Sequence, residues 1–318
     1  MDTRHLVDPE LLAGLELMPA FDFTPESLLQ IRAGMAEMQK QQAAMAPPSN
    51  VRVEERRVPG PKGAPDVRVL VYTPPGASSG PRAGYLQIHG GGYVMGSPEM
   101  NDLHNKALTS EIGCVTVSVD YRLAPETPHP GPVEDCYAAL KWLHGNAAAL
   151  GVDPKRIAIG GESAGGGLAA ALALLARDRG EVPIIFQRLK YPMIDDRTVT
   201  RNPAHPYTGE FVWTAAANRF GWHSLLGREP GGPDVSPYAA ASRAVDLKGL
   251  PPTYISTGAL DIFLDENLDY AKRLLAAGVP TELHVYPGAY HGYDIAVDAD
   301  VTKRSAADAL RALKRALG

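Results

Sequence analysis

Ser163 stands in Gly161-Glu162-Ser163-Ala164-Gly165, between the apolar run Ile157-Ala158-Ile159 and a second apolar run from Leu168 to Ala176. A G-x-S-x-G spacing with a strand before it and a helix after it predicts a nucleophile elbow, a sharp turn that lifts the serine hydroxyl clear of a sheet. Glycine inside a helix costs about 1 kcal/mol per residue relative to alanine, so a cluster running into one needs a backbone reason. In an elbow the reason is clearance: side chains at Gly161 and Gly165 would strike the neighbouring strand and helix. The helix start also aims N–H groups and a positive dipole end at the serine. Two rival glycine motifs fail here. No glycines fall at i, i+2 and i+5, and no lysine completes a phosphate-binding loop.

A serine hydroxyl is a weak nucleophile until an oriented base takes its proton. Of the nine histidines, His291 is the candidate base, because Pro287-Gly288-Ala289-Tyr290-His291-Gly292 follows the last clear strand, at the sheet edge where α/β sites collect. His284 shares a strand face with Glu282 and Tyr286 and reads as structural. His89 ends a strand just before glycines and reads as support for a loop. His5, His104, His129, His144, His205 and His223 fall in terminal, helical or loop segments. The orienting acid is expected on a loop between Ser163 and His291. Asp261 follows the strand Thr253-Tyr254-Ile255-Ser256-Thr257 and is favoured. Asp195 and Asp196, after an earlier strand, are its main competitors. Asp265, Glu266 and Asp269 read as first-turn or exposed charges of the next helix. A second glycine cluster, His89-Gly90-Gly91-Gly92, suits an oxyanion hole, with the N–H groups of Gly91, Gly92 and Ala164 as donors. Each such donor is worth about 3 kcal/mol to a developing oxyanion.

The elements that must position these groups alternate along the chain. Strand patterns occur at 51–58, 67–74, 85–89, 114–119, 156–160, 184–189, 253–257 and 281–286, and helical ones around 99–111, 132–146, 164–177 and 264–277. Strand–helix alternation predicts an α/β fold with a mostly parallel central sheet covered on both faces. Two segments break the rhythm. In 1–50, Thr24-Pro25-Glu26 reads as a helix start, followed by Leu28, Ile31, Met35, Met38 and Met45 at helical spacing, a face expected to pack on a core, with an adaptable site for an apolar ligand as the other reading. In 195–235, Phe211, Trp213, Phe220 and Trp222 occur without strand alternation, which predicts inserted helices with an apolar face.

With 318 residues, 45% of them hydrophobic, the chain can bury a large core. Its net charge of −5 offers no basic face for nucleic acid. No leader or membrane-spanning run is read, so no membrane insertion is expected. Cys114 and Cys136 lack C-x-x-C spacing and read as buried reduced thiols of a cytoplasmic protein, with no metal and no cofactor expected.

Together, HGGG at 89–92, VDYRLAPE at 119–126, VEDC at 133–136, GESAGG at 161–166, YPMIDD at 191–196, GALDIFLDE at 258–266 and HGYD at 291–294 resemble the hormone-sensitive-lipase-like family of α/β-hydrolase esterases, in its bacterial carboxylesterase branch. The likeness runs from about residue 50 to the C-terminus. It implies a Ser163, Asp261, His291 triad, an oxyanion hole at HGGG, and a helical cap built from 1–50 and 195–235 over a core of 51–194 and 236–318. It implies a small-molecule ester of short to medium acyl length as substrate, and a homodimer as the assembly to expect. An amidase, or a hydrolase of a special ester such as a drug or pesticide, on the same triad is the near alternative. A non-catalytic binder, as in the plant gibberellin receptor that resembles the family, is the remote one. Glu162 replaces the family's usual Asp, Gly167 a common Asn, Ile262 the usual Pro and Leu264 an Arg; none removes a catalytic group.

Overall fold

The computed structural model describes residues 2–18, 22–201 and 204–318. Apolar alternation in the first two strand patterns gives β1 (Arg52–Val58) and β2 (Val67–Thr73), an antiparallel pair in register from Arg52 opposite Thr73 to Val58 opposite Val67. Then come β3 (Arg82–Ile88), β4 (Val115–Asp120), β5 (Val152–Glu162), β6 (Phe186–Lys190), β7 (Thr253–Gly258) and β8 (Thr281–Tyr286). The eight strands lie in the order β1-β2-β4-β3-β5-β6-β7-β8, and every pair from β4 onward is parallel. The central strands are buried along most of their length, as strands covered on both faces must be. β5 begins four residues earlier than its apolar pattern suggests.

The helices are α1 (Leu12–Leu17), α2 (Pro25–Met45), α3 (Asp102–Ile112), α4 (Gly131–Gly145), α5 (Ala147–Leu150), α6 (Ala164–Arg179), α7 (Ala215–Leu226), α8 (Leu264–Ala276) and α9 (Asp300–Leu317). One core joins α4, α6 and α8 to the sheet through Leu140, Leu172 and Leu274 against Ile159, Leu189 and Ile255. A second core, on the other face, sets Leu108 of α3 and Ala309 and Leu313 of α9 against Tyr85, Ala158, Phe186 and Tyr254. Helix α9 has no counterpart in the sequence pattern above. Its buried residues, Val301, Thr302, Ser305, Ala309, Ala312, Leu313 and Leu317, do recur at helical spacing.

Three expectations need correction. The pattern at 99–111 starts as a 3-10 turn, Pro98–Asn101, before α3 begins at Asp102. Segment 195–235 holds one α-helix, α7, capped by Thr214, plus a 3-10 turn at Thr198–Thr200; the rest of its described residues are irregular. The methionine face does not pack as a whole. Leu28 is buried and Ile31 and Met35 reach the core, but Met38 is 42% and Met45 79% exposed, because the second half of α2 lies largely in solvent. The start of α2 is as expected, with a Thr24–Ser27 capping box and Pro25 in the first turn. Arg32 ties this helix down. It donates from Nε to the Val94 carbonyl (2.7 Å), from Nη2 to the Ala124 carbonyl (2.8 Å), and from Nη1 to Glu126 (2.7 Å).

Gly34 sits in the interior of α2 with no heavy atom within 4 Å of where a Cβ would lie. Gly34→Ala is therefore expected to stabilise the protein by about 0.5–1 kcal/mol, seen as a rise of about 1–3 °C in Tm by calorimetry.

Candidate active site

The elbow forms where β5 ends and α6 begins. Ser163 adopts φ +57° and ψ −123°, a conformation that costs a non-glycine residue about 1–3 kcal/mol and persists only when its surroundings hold it. The Ser163 N–H donates to the Lys190 carbonyl (2.9 Å), and the Ser163 carbonyl accepts from Gly167 N–H (2.9 Å) and Met193 N–H (3.0 Å). The glycines give the clearance expected of them. A Cβ on Gly161 would lie closer than 3.0 Å to the carbonyls of Gly165 and Ile88, and one on Gly165 closer than that to the carbonyls of Ile88 and His89. Gly167 now has a reason as well: its missing side chain leaves room for the Tyr93 hydroxyl, which donates to the Met193 carbonyl at 2.7 Å.

The loop after β7 carries Asp261 and the loop after β8 carries His291. All three predicted residues meet at the C-terminal ends of β5, β7 and β8. His291 Nε2 lies 2.9 Å from Ser163 Oγ, and His291 Nδ1 lies 2.8 Å from Asp261 Oδ2. The carboxylate accepts, so Nδ1 carries the proton and Nε2 is left to accept from the serine hydroxyl. Asp261 is itself fixed, because its Oδ1 accepts from Phe263 N–H (2.9 Å). All three side chains are buried. The competing acids are committed elsewhere: Asp195 pairs with Arg197 and Arg201, and Asp196 with Arg243. His284 is structural as expected, held between Glu282 and Asp308. Glu266 departs from its expected exposure. It is buried, accepts from Ile194 N–H (2.7 Å) and Asp195 N–H (3.1 Å), and burial pushes its carboxyl well above the usual range.

Gly91 and Gly92 have φ of +111° and +60°, successive left-handed positions open to glycine. Among the described residues their N–H groups donate to no protein acceptor, while the Gly91 carbonyl accepts from Val94 and Met95. A Cβ at Gly92 would run into the Trp213 ring, so the indole closes directly over this turn. Gly90 lies against the elbow, where its Cβ would meet the Glu162 carbonyl at 3.0 Å. His89 supports the turn from below. Its Nδ1 donates to the Gly90 carbonyl (2.8 Å) and its ring stacks on Tyr121 with centroids 4.3 Å apart.

Burial holds the His89 imidazole down at about 4. Between that value and the unfolded value near 6.5, the unfolded chain binds a proton that the folded chain does not. Stability therefore rises with pH across this window, is complete above about 6.5, and is lost as the pH falls towards 4. The cost on going from pH 6.5 to 5 is about 2 kcal/mol. Urea midpoints at pH 5 and 7 should show this slope in the wild type and a shallower one in His89→Asn, where His104 and His129, also lowered, keep their own share.

Tyr191, which opens the YPMIDD stretch, is a neighbour of the site to which the sequence reading gives no role. At φ +34° it sets its ring edge-on to His291 with centroids 4.6 Å apart, and its hydroxyl donates to Asp294 (2.6 Å). Phe263 meets His291 at 88° from another side. Residues 3–11 are a second unmarked contributor. Thr3 N–H donates to Glu210 (2.7 Å), Asp8 N–H to the Gly288 carbonyl (3.1 Å), and the Tyr290 hydroxyl to the Leu11 carbonyl (3.0 Å), so this segment straps the loop that carries His291. Glu162 turns away from the serine and accepts from Gln87 Nε2 (2.8 Å) and Asn101 Nδ2 (2.5 Å).

A serine, histidine and aspartate aligned at the C-terminal edge of a mostly parallel sheet, beside a glycine turn with free N–H groups, define a serine hydrolase of the α/β-hydrolase type. The chain belongs to the alpha/beta hydrolase fold family, whose model matches residues 85–295, and within it to the hormone-sensitive-lipase-like bacterial carboxylesterases. It is similar to carboxylesterase NlhH of Mycobacterium tuberculosis, at 37% identity over 99% of this chain and 97% of that protein. A solved bacterial heroin esterase superposes with a TM-score of 0.94 at 44% identity, covering 100% of both chains. Esterase LipW from Mycobacterium marinum follows at 0.87 and 36%, covering 98% of this chain and 96% of that one. The chain is a carboxylic-ester hydrolase. Among the described residues no helix is long and apolar enough to cross a membrane.

Proposed function

We propose that Ser163, His291 and Asp261 carry out ester hydrolysis through an acyl-enzyme, on small esters with short to medium acyl chains. The observation that carries the assignment is the unbroken line from Asp261 through His291 to Ser163, at 2.8 and 2.9 Å. Ser163 Oγ attacks the ester carbonyl carbon as its proton passes to His291 Nε2. Asp261 holds the ring and stabilises the imidazolium. The N–H groups of Gly91, Gly92 and Ala164 receive the oxyanion; Ala164 opens α6, whose dipole adds to the field there. His291 then returns the proton to the departing alcohol. Water, deprotonated by the same nitrogen, releases the carboxylic acid and restores Ser163.

The acyl preference rests on a cap formed by 1–50 and 195–235. Phe23 packs on Trp213 and Phe220 with centroids 5.5 and 5.7 Å apart, and Trp213 lies 6.4 Å from the His291 ring. This aromatic roof favours an apolar chain and limits its length. The test is a kcat/KM profile over p-nitrophenyl esters from acetate to palmitate, beside the matched p-nitroanilides. A maximum between butyrate and octanoate is expected. A maximum at palmitate would overturn the cap reading, and faster anilide hydrolysis would make the protein an amidase. The buried free thiols Cys114 and Cys136 support a cytoplasmic location. The homodimer implied by the resemblance is read from light scattering.

A further inference from the structure

Arg188 and Lys190, two residues apart on β6, project from the same face of the sheet. Arg188 is only 3% exposed, yet its guanidinium makes a single long hydrogen bond, from Nη1 to the Tyr85 hydroxyl at 3.4 Å. Its Nε has no partner, and among the described residues it forms no ion pair. A buried guanidinium left in this state is costly, because most of its donors are unmatched and its charge is met only at a distance, by the Glu162 carboxylate. The nearby acids are committed. Glu162 serves Gln87 and Asn101, and Asp294 pairs with Lys190 at 2.7 Å while accepting from Tyr191.

Beside Arg188 lies a cavity of about 460 Å³ whose lining does not include Ser163, Asp261 or His291. Its floor is polar, with Glu162, Arg188, Lys190 and Ser256 from the ends of β5, β6 and β7. Its walls are apolar, with Leu103 and Leu108 from α3 and Leu310 and Leu313 from α9. The volume is in the range of sites that enclose small organic ligands. A charged floor under apolar walls calls for an amphiphile. The planar donor fork of an arginine suits a carboxylate, and a monoanion meets less repulsion from Glu162 and Asp294 than a phosphate dianion would.

We propose that this cavity is a second binding site, separate from the nucleophile, for a monocarboxylate with an apolar tail: the carboxylate sits on Arg188 and the tail lies between α3 and α9. A medium-chain fatty acid meets these demands. It is also the kind of acid that hydrolysis of a medium-chain ester releases, and in this respect alone the inference rests on the proposed substrate class.

The test is calorimetric titration of octanoate into enzyme inactivated by an organophosphate. Loss of activity shows that the nucleophile is capped, whichever serine it is, so the two readings fail separately. Saturable one-to-one binding to the capped enzyme is expected, weaker by about tenfold or more in Arg188→Met and for acetate, which lacks the tail. Ala306→Trp, at an exposed position of α9 on the cavity lining, should fill the space and weaken octanoate to the same degree. It decides the matter alone if Arg188→Met does not fold. Absence of octanoate binding to the capped enzyme, unchanged affinity in Arg188→Met or Ala306→Trp, or equal affinity for acetate would each overturn the proposal.

Discussion

Ser163→Ala is expected to lower kcat/KM for p-nitrophenyl butyrate by about 10⁴-fold or more, with no loss of folded protein. The hydroxyl is the only group removed. The backbone bonds from Ser163 N–H to Lys190 and from Gly167 and Met193 to the Ser163 carbonyl are kept, and alanine meets the same φ of +57° as serine. Urea midpoints of the two proteins should therefore agree within about 1 kcal/mol. Without Oγ no acyl-enzyme forms. The activity left over would be what the oxyanion donors and binding alone give to attack by water. A variant keeping more than a few per cent of wild-type activity would show that another residue is the nucleophile. Burst kinetics give a second check, since the stoichiometric release of p-nitrophenol that precedes turnover should vanish in the variant.

The second large effect is on folding. Gly165→Ala adds one methyl group, and that methyl would lie closer than 3.0 Å to two carbonyl groups, those of Ile88 and His89. Both belong to backbone at the end of β3 and the start of the glycine turn, so neither can rotate away as a side chain would. Relief requires α6 to move off β3, and that pulls the elbow apart. A loss of about 3–5 kcal/mol is expected, measured by urea unfolding or seen as insoluble protein. Gly34→Ala, the same change in open space, supplies the comparison. If Gly165→Ala melts like the wild type, steric clearance is not what fixes glycine at this position.

The contrast between these two glycines shows what a sequence can disclose. Gly161 and Gly165 were legible because a strand and a helix stand on either side of them, and the resulting turn has one well-understood purpose. His291 and Asp261 were legible for a related reason: each follows a parallel strand, and such strands deliver their successors to one edge. Glu266 was misread because an acidic residue in the first turn of a helix ordinarily faces solvent and the dipole. Here it turns inward to satisfy the Ile194 and Asp195 N–H groups, which belong to a loop far off in the chain. The contact of Tyr191 with His291 depends on a backbone conformation at positive φ that no residue type announces. The methionines at 38 and 45 kept helical spacing but lost their partner, since periodicity says which face is apolar and not where the body of the protein ends. Helix α9 is legible in the same way, from Val301, Ala309, Ala312, Leu313 and Leu317 at helical spacing.

The strap over the histidine loop bears on the order in which the molecule can be completed. The Tyr290–Leu11 hydrogen bond joins positions 279 residues apart, and Asp8 meets Gly288 across a similar interval. During synthesis Asp8 and Leu11 leave the ribosome before their partners at 288–290 exist. Contacts between residues so far apart in the chain raise the contact order, which goes with slower folding. The base is carried on that loop, so its strap cannot close until residues 288–290 have been made.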